Sequence, residues 1–435
     1  MGANEPTRQD VWASGTDGGT CVDVPVTGAP QPTDRIDGRP PSRTGGPTRR
    51  QLLGAGAVLA AGAGWRLVGA LRGRPGAAAP DPARVSPAVL SGPEPLWVFR
   101  GPAAQSAYRS DGPQAAPLFV TASQVRVLDP ATGAERRRID LPPAVARPGA
   151  GRLLVGGDRV FDGADGYVTG YHLTDPAADW SDRTAAGRSA DPPRPVALDG
   201  YDGATLYGRR PGDGTADPQL FALPAGAVEP RWTRPGTENG GELTDVRAVT
   251  GRRLLARSSR DELVALDAVD GGRRWLTTAD QALGWIEADD EHVYVAARAS
   301  GLRALRATDG AGAWTLVPDR GDDWRCLRPL AACGALYVPR DNGLVTRNSP
   351  ADGAEVWSRA LPLRLDVRTR PLLLGRTLVV PGTRAGGVCA LDAATGAIRW
   401  LFRDAAGGTG YWQVSTDGEH LFAGHDDVLY ALPVD

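Results

Sequence analysis

The chain of 435 residues contains no lysine: outside four histidines, every basic side chain is an arginine. A Walker A phosphate loop, a lysine Schiff base and a Ser-Lys hydrolase are therefore excluded. Cysteine is scarce as well. Cys21, Cys326, Cys333 and Cys389 form no CxxC pair. Neither Gly-x-Ser-x-Gly nor His-Glu-x-x-His occurs. A strong charge of either sign is missing too. The net charge of −2 argues against a basic nucleic-acid binder, so no nucleic-acid partner is expected. What the chain does have is turn chemistry. Its 57 glycines and 37 prolines suit many short strands joined by tight turns.

The N-terminal part divides into three. Residues 1–46 are polar, rich in Gly, Pro, Thr and Asp, and read as a disordered leader. Residues 47–71 carry Arg49 and Arg50 ahead of a Gly/Ala-rich apolar run that ends at Gly64. Paired arginines before a short apolar stretch resemble a twin-arginine export signal. The run is too short for an ordinary spanning helix, which needs about 20 residues. A signal cut near Ala79, an uncleaved membrane anchor and a plain linker all remain open. Residues 72–93 read as a linker, and residues 94–435 as the folded domain.

A ten-residue frame recurs through that domain. Leu391-Asp392-Ala393-Ala394-Thr395-Gly396 runs on to Trp400, and Leu266-Asp267-Ala268-Val269-Asp270-Gly271 to Trp275. Leu305 leads to Trp314, Asn348 to Trp357, Leu223 to Trp232 and, in a shortened copy, Leu173 to Trp180. Leu128-Asp129-Pro130-Ala131-Thr132-Gly133 belongs to the series, with Arg137 where the tryptophan would stand. The frame is a hairpin. A strand leads into an Asp that bonds the backbone ahead of it, a glycine closes the loop, and the tryptophan lies on the return strand. A second strand precedes each hairpin, as in Thr377-Leu378-Val379-Val380, Arg152-Leu153-Leu154-Val155 and His420-Leu421-Phe422-Ala423. Positions 97, 137, 180, 232, 275, 314, 357 and 400 are spaced by 39 to 52 residues. Trp97 has no hairpin before it, and the last hairpin strand, Val428–Leu432, has no tryptophan after it. The two halves complete each other. The prediction is an all-β, eight-bladed propeller of four-stranded blades, closed by strands from both termini.

The Ala-Leu-Asp-x-x-Thr/Asp-Gly-x-x-x-Trp frame resembles the PQQ-like (pyrroloquinoline quinone) repeat. The outer-membrane assembly propeller and the quinoprotein dehydrogenases share it. WD40 is the structural alternative, but its Gly-His and Trp-Asp signatures are absent. The resemblance implies that Trp97, Trp180, Trp232, Trp275, Trp314, Trp357 and Trp400 dock between neighbouring blades. Its quinoprotein branch implies adjacent cysteines, a catalytic aspartate and a calcium or lanthanide ion. This chain has no adjacent cysteines and no matching acidic pair, so no catalytic residue, PQQ, calcium or other metal site is expected.

Other residues invite a structural reading. His420 and His425, beside Asp426 and Asp427, fall on opposite faces of one strand and read as turn and surface histidines. Asp162-Gly163-Ala164-Asp165-Gly166 reads as a hairpin turn rather than a calcium loop. Arg136-Arg137-Arg138 reads as a solvated strand face. Cys326 and Cys333 could bridge in an exported protein, and Cys389 belongs to the core. Trp65, Trp285, Trp324 and Trp412 lie off the repeat and are freer to meet a ligand. The polar stretches 181–195 and 209–218 read as surface loops. Three functions stay open. One is a non-enzymatic, exported or anchored monomer binding a protein or small ligand on one propeller face. Another is a quinoprotein oxidoreductase. The third is a sensor module related to kinase-linked propellers, as in actinobacteria-like sequences.

Overall fold

A computed structural model describes residues 92–101, 116–121, 123–142, 153–182, 195–212, 217–249, 252–278, 283–297, 301–318, 324–368, 370–404 and 410–434. The leader, Arg49 and Arg50, Trp65 and most of the linker lie outside these residues. Among the described residues no helix is long and apolar enough to cross a membrane.

The described chain forms eight antiparallel sheets, seven of them meanders of consecutive strands and the eighth joining the first described strand to the last three. Blade 1 shows three strands, Leu118–Val120, Gln124–Leu128 and Glu135–Asp140. Blade 2 comprises Leu153–Gly156, Arg159–Asp162, Thr169–His172 and Trp180–Ser181, and blade 3 comprises Ala197–Tyr201, Thr205–Arg210, Gln219–Pro224 and Trp232–Pro235. Blade 4 holds Gly241–Val249, Arg253–Ser258, Glu262–Asp267 and Arg273–Thr278, with Thr237–Glu238 as a short fifth strand. Blade 5 is Leu283–Ala288, His292–Ala297, Leu302–Arg306 and Gly312–Leu316, and blade 6 is Leu330–Ala332, Ala335–Pro339, Leu344–Asn348 and Glu355–Ala360. Blade 7 is Leu372–Leu374, Thr377–Pro381, Val388–Asp392 and Ile398–Phe402. Blade 8 takes Gln413–Thr416, Leu421–His425 and Val428–Leu432 from the C-terminal end and Trp97–Arg100 from the other. The closing register pairs Trp97 with Ala431 and Phe99 with Leu429.

The cores lie between blades. Eight hydrophobic clusters occupy the eight seams in turn, the last joining Leu128 of blade 1 to Phe422, Leu429 and Ala431 of blade 8. A middle strand is therefore covered on both faces, which explains continuous apolar runs such as the fully buried Leu263-Val264-Ala265-Leu266. The outermost strand is covered on one face only, and Trp97–Arg100 alternates half-buried and exposed. In blade 2 the preceding strand read at Arg152–Val155 is in fact the innermost one. Arg159–Asp162 is the strand that pairs with the hairpin strand Thr169–His172.

Because each blade is antiparallel, its first and third turns share one end and its middle turn and the linker to the next blade share the other. This divides the ring into a turn face, which carries the repeated Asp-Gly hairpins, and a loop face.

Candidate functional site

The turn face is built by the repeat itself. Asp392 Oδ1 accepts from the backbone of Ala394 (3.1 Å) and Thr395 (2.9 Å), and Gly396 N–H closes onto Asp392 O at 2.8 Å. Gly396 has φ +69, and a Cβ there would lie 2.7 Å from the Trp357 ring of the preceding blade. That indole reaches across the seam and donates to Ala393 O at 3.1 Å. Trp97 donates likewise to Pro130 O (2.8 Å), Trp232 to Ala268 O (3.0 Å), Trp275 to Ala307 O (3.0 Å) and Trp314 to Pro350 O (2.8 Å). Gly133, Gly271, Gly310 and Gly353 sit on those four rings.

Three seams depart from this scheme. Arg137, between blades 1 and 2, is not a solvated residue. It donates to His172 O and pairs with Asp179 at 2.5 Å, so a guanidinium does the indole's work. Trp180 and Trp400 have buried indole nitrogens without a hydrogen-bond partner. Those two seams instead have an acid from the linker between blades, on the loop face. Asp182, 2% exposed, accepts from Val168 N (2.7 Å) and from Arg210 Nη2 (2.6 Å). Asp404 accepts from Arg384 Nη1 (2.6 Å), His425 Nε2 (2.6 Å) and Tyr430 OH (2.8 Å). Burial raises the Asp404 pKa, but the hydrogen bonds from Arg384, Tyr430 and His425 outweigh it and hold the carboxyl below its ordinary range. Burial and the hydrogen bond to Asp404 push the Tyr430 phenol up.

The loop face of blades 5 to 8 carries the candidate binding surface. The linker after blade 6 alternates Leu361, Leu363 and Leu365, all buried, and then Val367, which is 60% exposed. The backbone holds Val367 in place, since Trp285 Nε1 donates to its carbonyl at 3.1 Å. Arg328 lies over the Trp285 ring, 5.3 Å from its centre. On the other side Arg368 lies 3.9 Å over the Tyr411 ring while Asp366 holds its guanidinium at 2.6 Å. Arg340 stacks 4.1 Å over buried Trp324 on the same face. Trp285, Tyr411, Arg328 and Arg368 around Val367 are of the residue types enriched at protein interfaces.

The family model described as outer membrane protein assembly factor BamB, a PQQ repeat model, matches residues 222–363 and 323–432. It is a PQQ-like β-propeller. The chain is 29% identical over 167 residues to the outer membrane protein assembly factor BamB of Yersinia pestis, covering 35% of this chain and 41% of that protein. It is 27% identical over 183 residues to BamB of Moranella endobia, covering 38% of this chain and 45% of the relative. The chain thus spans less than half the length of the curated relatives it matches. Among solved structures, the computationally designed Ika8 protein aligns with a TM-score of 0.58 at 12% identity, over 78% of this chain and all of that one, a likeness of fold alone.

The sequence has no adjacent cysteines. Among the described residues no group of three or more His, Cys, Asp or Glu side chains could hold a metal ion. Asp162-Gly163-Ala164-Asp165-Gly166 forms a strand end and a short 3-10 turn within a hairpin connection. The bridge read between Cys326 and Cys333 does not form. Cys326 and Cys389 are free and buried, and Cys333 is disulfide-bonded to neither of them. Cys326 instead donates to Leu327 O at 3.0 Å, and burial pushes both free thiols up to about 12. His425 is no surface residue, at 6% exposure, and His292 is buried as well. Trp324 and Trp412 are buried, so of the described tryptophans off the repeat only Trp285 keeps partial exposure. Sequence reading took 181–195 and 209–218 for loops and so missed Asp182 and Arg210. The signal was there: an isolated acid two residues after a repeat tryptophan, matched by Asp404 four residues after Trp400.

Proposed function

We propose that this propeller is a non-enzymatic, extracytoplasmic scaffold that binds a protein through the loop face of blades 5 to 8. The observation that carries the reading is Val367. The alternating run that buries Leu361, Leu363 and Leu365 continues onto it, yet it stands exposed between Trp285 and the Arg368–Tyr411 stack. Beside the partly exposed rings of Trp285 and Tyr411, it offers apolar surface suited to a partner. The relatives named as assembly factors support a protein partner, and Arg49-Arg50 with its apolar run supports export. The scaffold acts as a monomer without PQQ or calcium.

The test is site-specific photo-crosslinking in the producing cell. A photoreactive phenylalanine at Val367 should give one discrete adduct. The same probe at Val356, 56% exposed on the outer strand of blade 6, should give none. Equal adducts at both positions, or none at Val367, refute the assignment.

A further inference from the structure

At the seam between blades 7 and 8, two buried donors share one exposed acid. Arg384 has a side chain 3% exposed and His425 one 2% exposed. Each spends its better contacts on Asp404. What remains, Arg384 Nε and His425 Nδ1, has no hydrogen-bond partner. Both point to Asp426 Oδ2, each at 3.4 Å. Charge-assisted bonds of this kind close to about 2.7–2.9 Å when they form well. Asp426 itself is 55% exposed and sits at a two-residue hairpin turn with φ +43. Its carboxylate stands over the two donors without reaching either.

We infer that Arg384 Nε and His425 Nδ1 form a carboxylate-binding site that Asp426 occupies in cis, and that an acidic segment of the partner displaces it. The inference rests on the scaffold reading only for the partner's identity. Chemistry sets the site's response to pH. Asp404 is ionised and can only accept, so His425 Nε2 carries a proton and donates to it. A neutral ring then presents a bare lone pair at Nδ1, which repels any carboxylate. Protonation turns Nδ1 into a second donor, so the site takes a carboxylate more readily as pH falls. The charged and titratable groups around the ring are Asp404 from the linker, Arg384 from blade 7, and Asp426 and Tyr430 from blade 8, with Arg100 near Tyr430. Trp412 packs edge-on against the ring at 4.3 Å and keeps water from one side. Arg368 and exposed Arg364 flank the same face and match an acidic ligand.

The experiment measures fluorescence anisotropy of a labelled hexaglutamate peptide on the full-length chain, with hexaglutamine as control. Asp426→Ala should bind hexaglutamate at least about tenfold more tightly than the wild type, while Asp427→Ala should not. Binding to Asp426→Ala should strengthen from pH 8 to pH 6, and His425→Gln in that background should remove the pH dependence. The inference is overturned if hexaglutamine binds as well as hexaglutamate, if Asp426→Ala is no tighter than the wild type, or if the pH dependence survives His425→Gln. The assay needs no natural partner. Tightening here without an adduct at Val367 would sink the scaffold reading alone, and the reverse outcome would sink only the carboxylate site.

Discussion

Replacing Gly396 by alanine separates the two roles of the repeat glycine. At φ +69, an L-residue in the left-handed region costs about 1–2 kcal/mol. The new Cβ would also meet Trp357 Cε3 at 2.7 Å, against the 3.4 Å at which ordinary contact begins. The ring must retreat by several tenths of an ångström, and overpacking of that kind costs about 1–3 kcal/mol. Retreat also draws Trp357 Nε1 away from Ala393 O, a bond of 3.1 Å. Losing it adds about 0.5–1.5 kcal/mol. The sum is roughly 2.5–6.5 kcal/mol. Gly226 supplies the control, because its φ is +84 and nothing lies within 4 Å of its virtual Cβ. Gly226→Ala should therefore cost only the backbone part, about 1–2 kcal/mol. Urea unfolding midpoints, multiplied by a common slope, measure both. In a Trp357→Ala background the cost of Gly396→Ala should shrink to that of Gly226→Ala, as expected for coupled neighbours. Equal destabilisation by the two glycine variants in the parent chain would refute the docking argument.

Other outcomes follow from the seams. Trp232→Phe should lose about 0.5–1.5 kcal/mol for its bond to Ala268 O beyond the loss of area, whereas Trp400→Phe removes a buried N–H that has no partner and carries no such term; urea midpoints of the pair decide this. Arg137→Ala should destabilise by about 1–3 kcal/mol and Arg138→Ala by under about 0.5 kcal/mol, measured at low salt. Cys326 and Cys389, with thiols pushed up to about 12, should resist maleimide at pH 8 in the folded chain, and unfolding should add two labels counted by mass spectrometry. Asp404 and Asp392 titrate below their ordinary value of 3.8 in the folded chain, so the stability they lend is present above that value and is lost as pH falls through the folded value. Stability measured from pH 6 down to pH 2 should thus decline less steeply for Asp404→Asn than for the parent.

Most of the ring was legible because each blade repeats one local solution. An Asp that bonds the backbone ahead of it, a left-handed glycine and a tryptophan at fixed distance are sequence-local, and they recur often enough to reveal the period. The pairing of Trp97 with Ala431 was readable for the same reason, since each half of the closing blade lacked its complement. Arg137 was misread because its partner Asp179 is supplied by the next blade, and no local pattern announces a contact between blades. His425 was misread because strand periodicity reports which way a side chain points. It does not report that a linker carboxylate and a loop arginine will close over it. Cys326 and Cys333 are near in sequence, yet Cys326 pairs across its blade with Arg340 in an isolated bridge, and sequence proximity did not become a bond.

The location of the exceptions ties architecture to function. Where an indole docks onto a carbonyl of the next blade, the seam is fastened at the turn face. Where Trp180 and Trp400 have lost their acceptors, the fastening moves to the other end, as Asp182 with Arg210 and as Asp404 with Arg384, His425 and Tyr430. A buried ion pair contributes little net stability over an apolar contact, but removing one partner is severe, because a buried charge is left behind. Such a seam holds more donors than its own acid can satisfy. At Asp182 the arginine's surplus is spread over the Phe221 ring, 4.5 Å away. At Asp404 the surplus is aimed outward, beneath Asp426 and on the face that carries Val367 and Arg368. Of the two seams fastened by a linker acid, the one at Asp404 is therefore the one whose leftover hydrogen-bonding capacity faces the proposed carboxylate site.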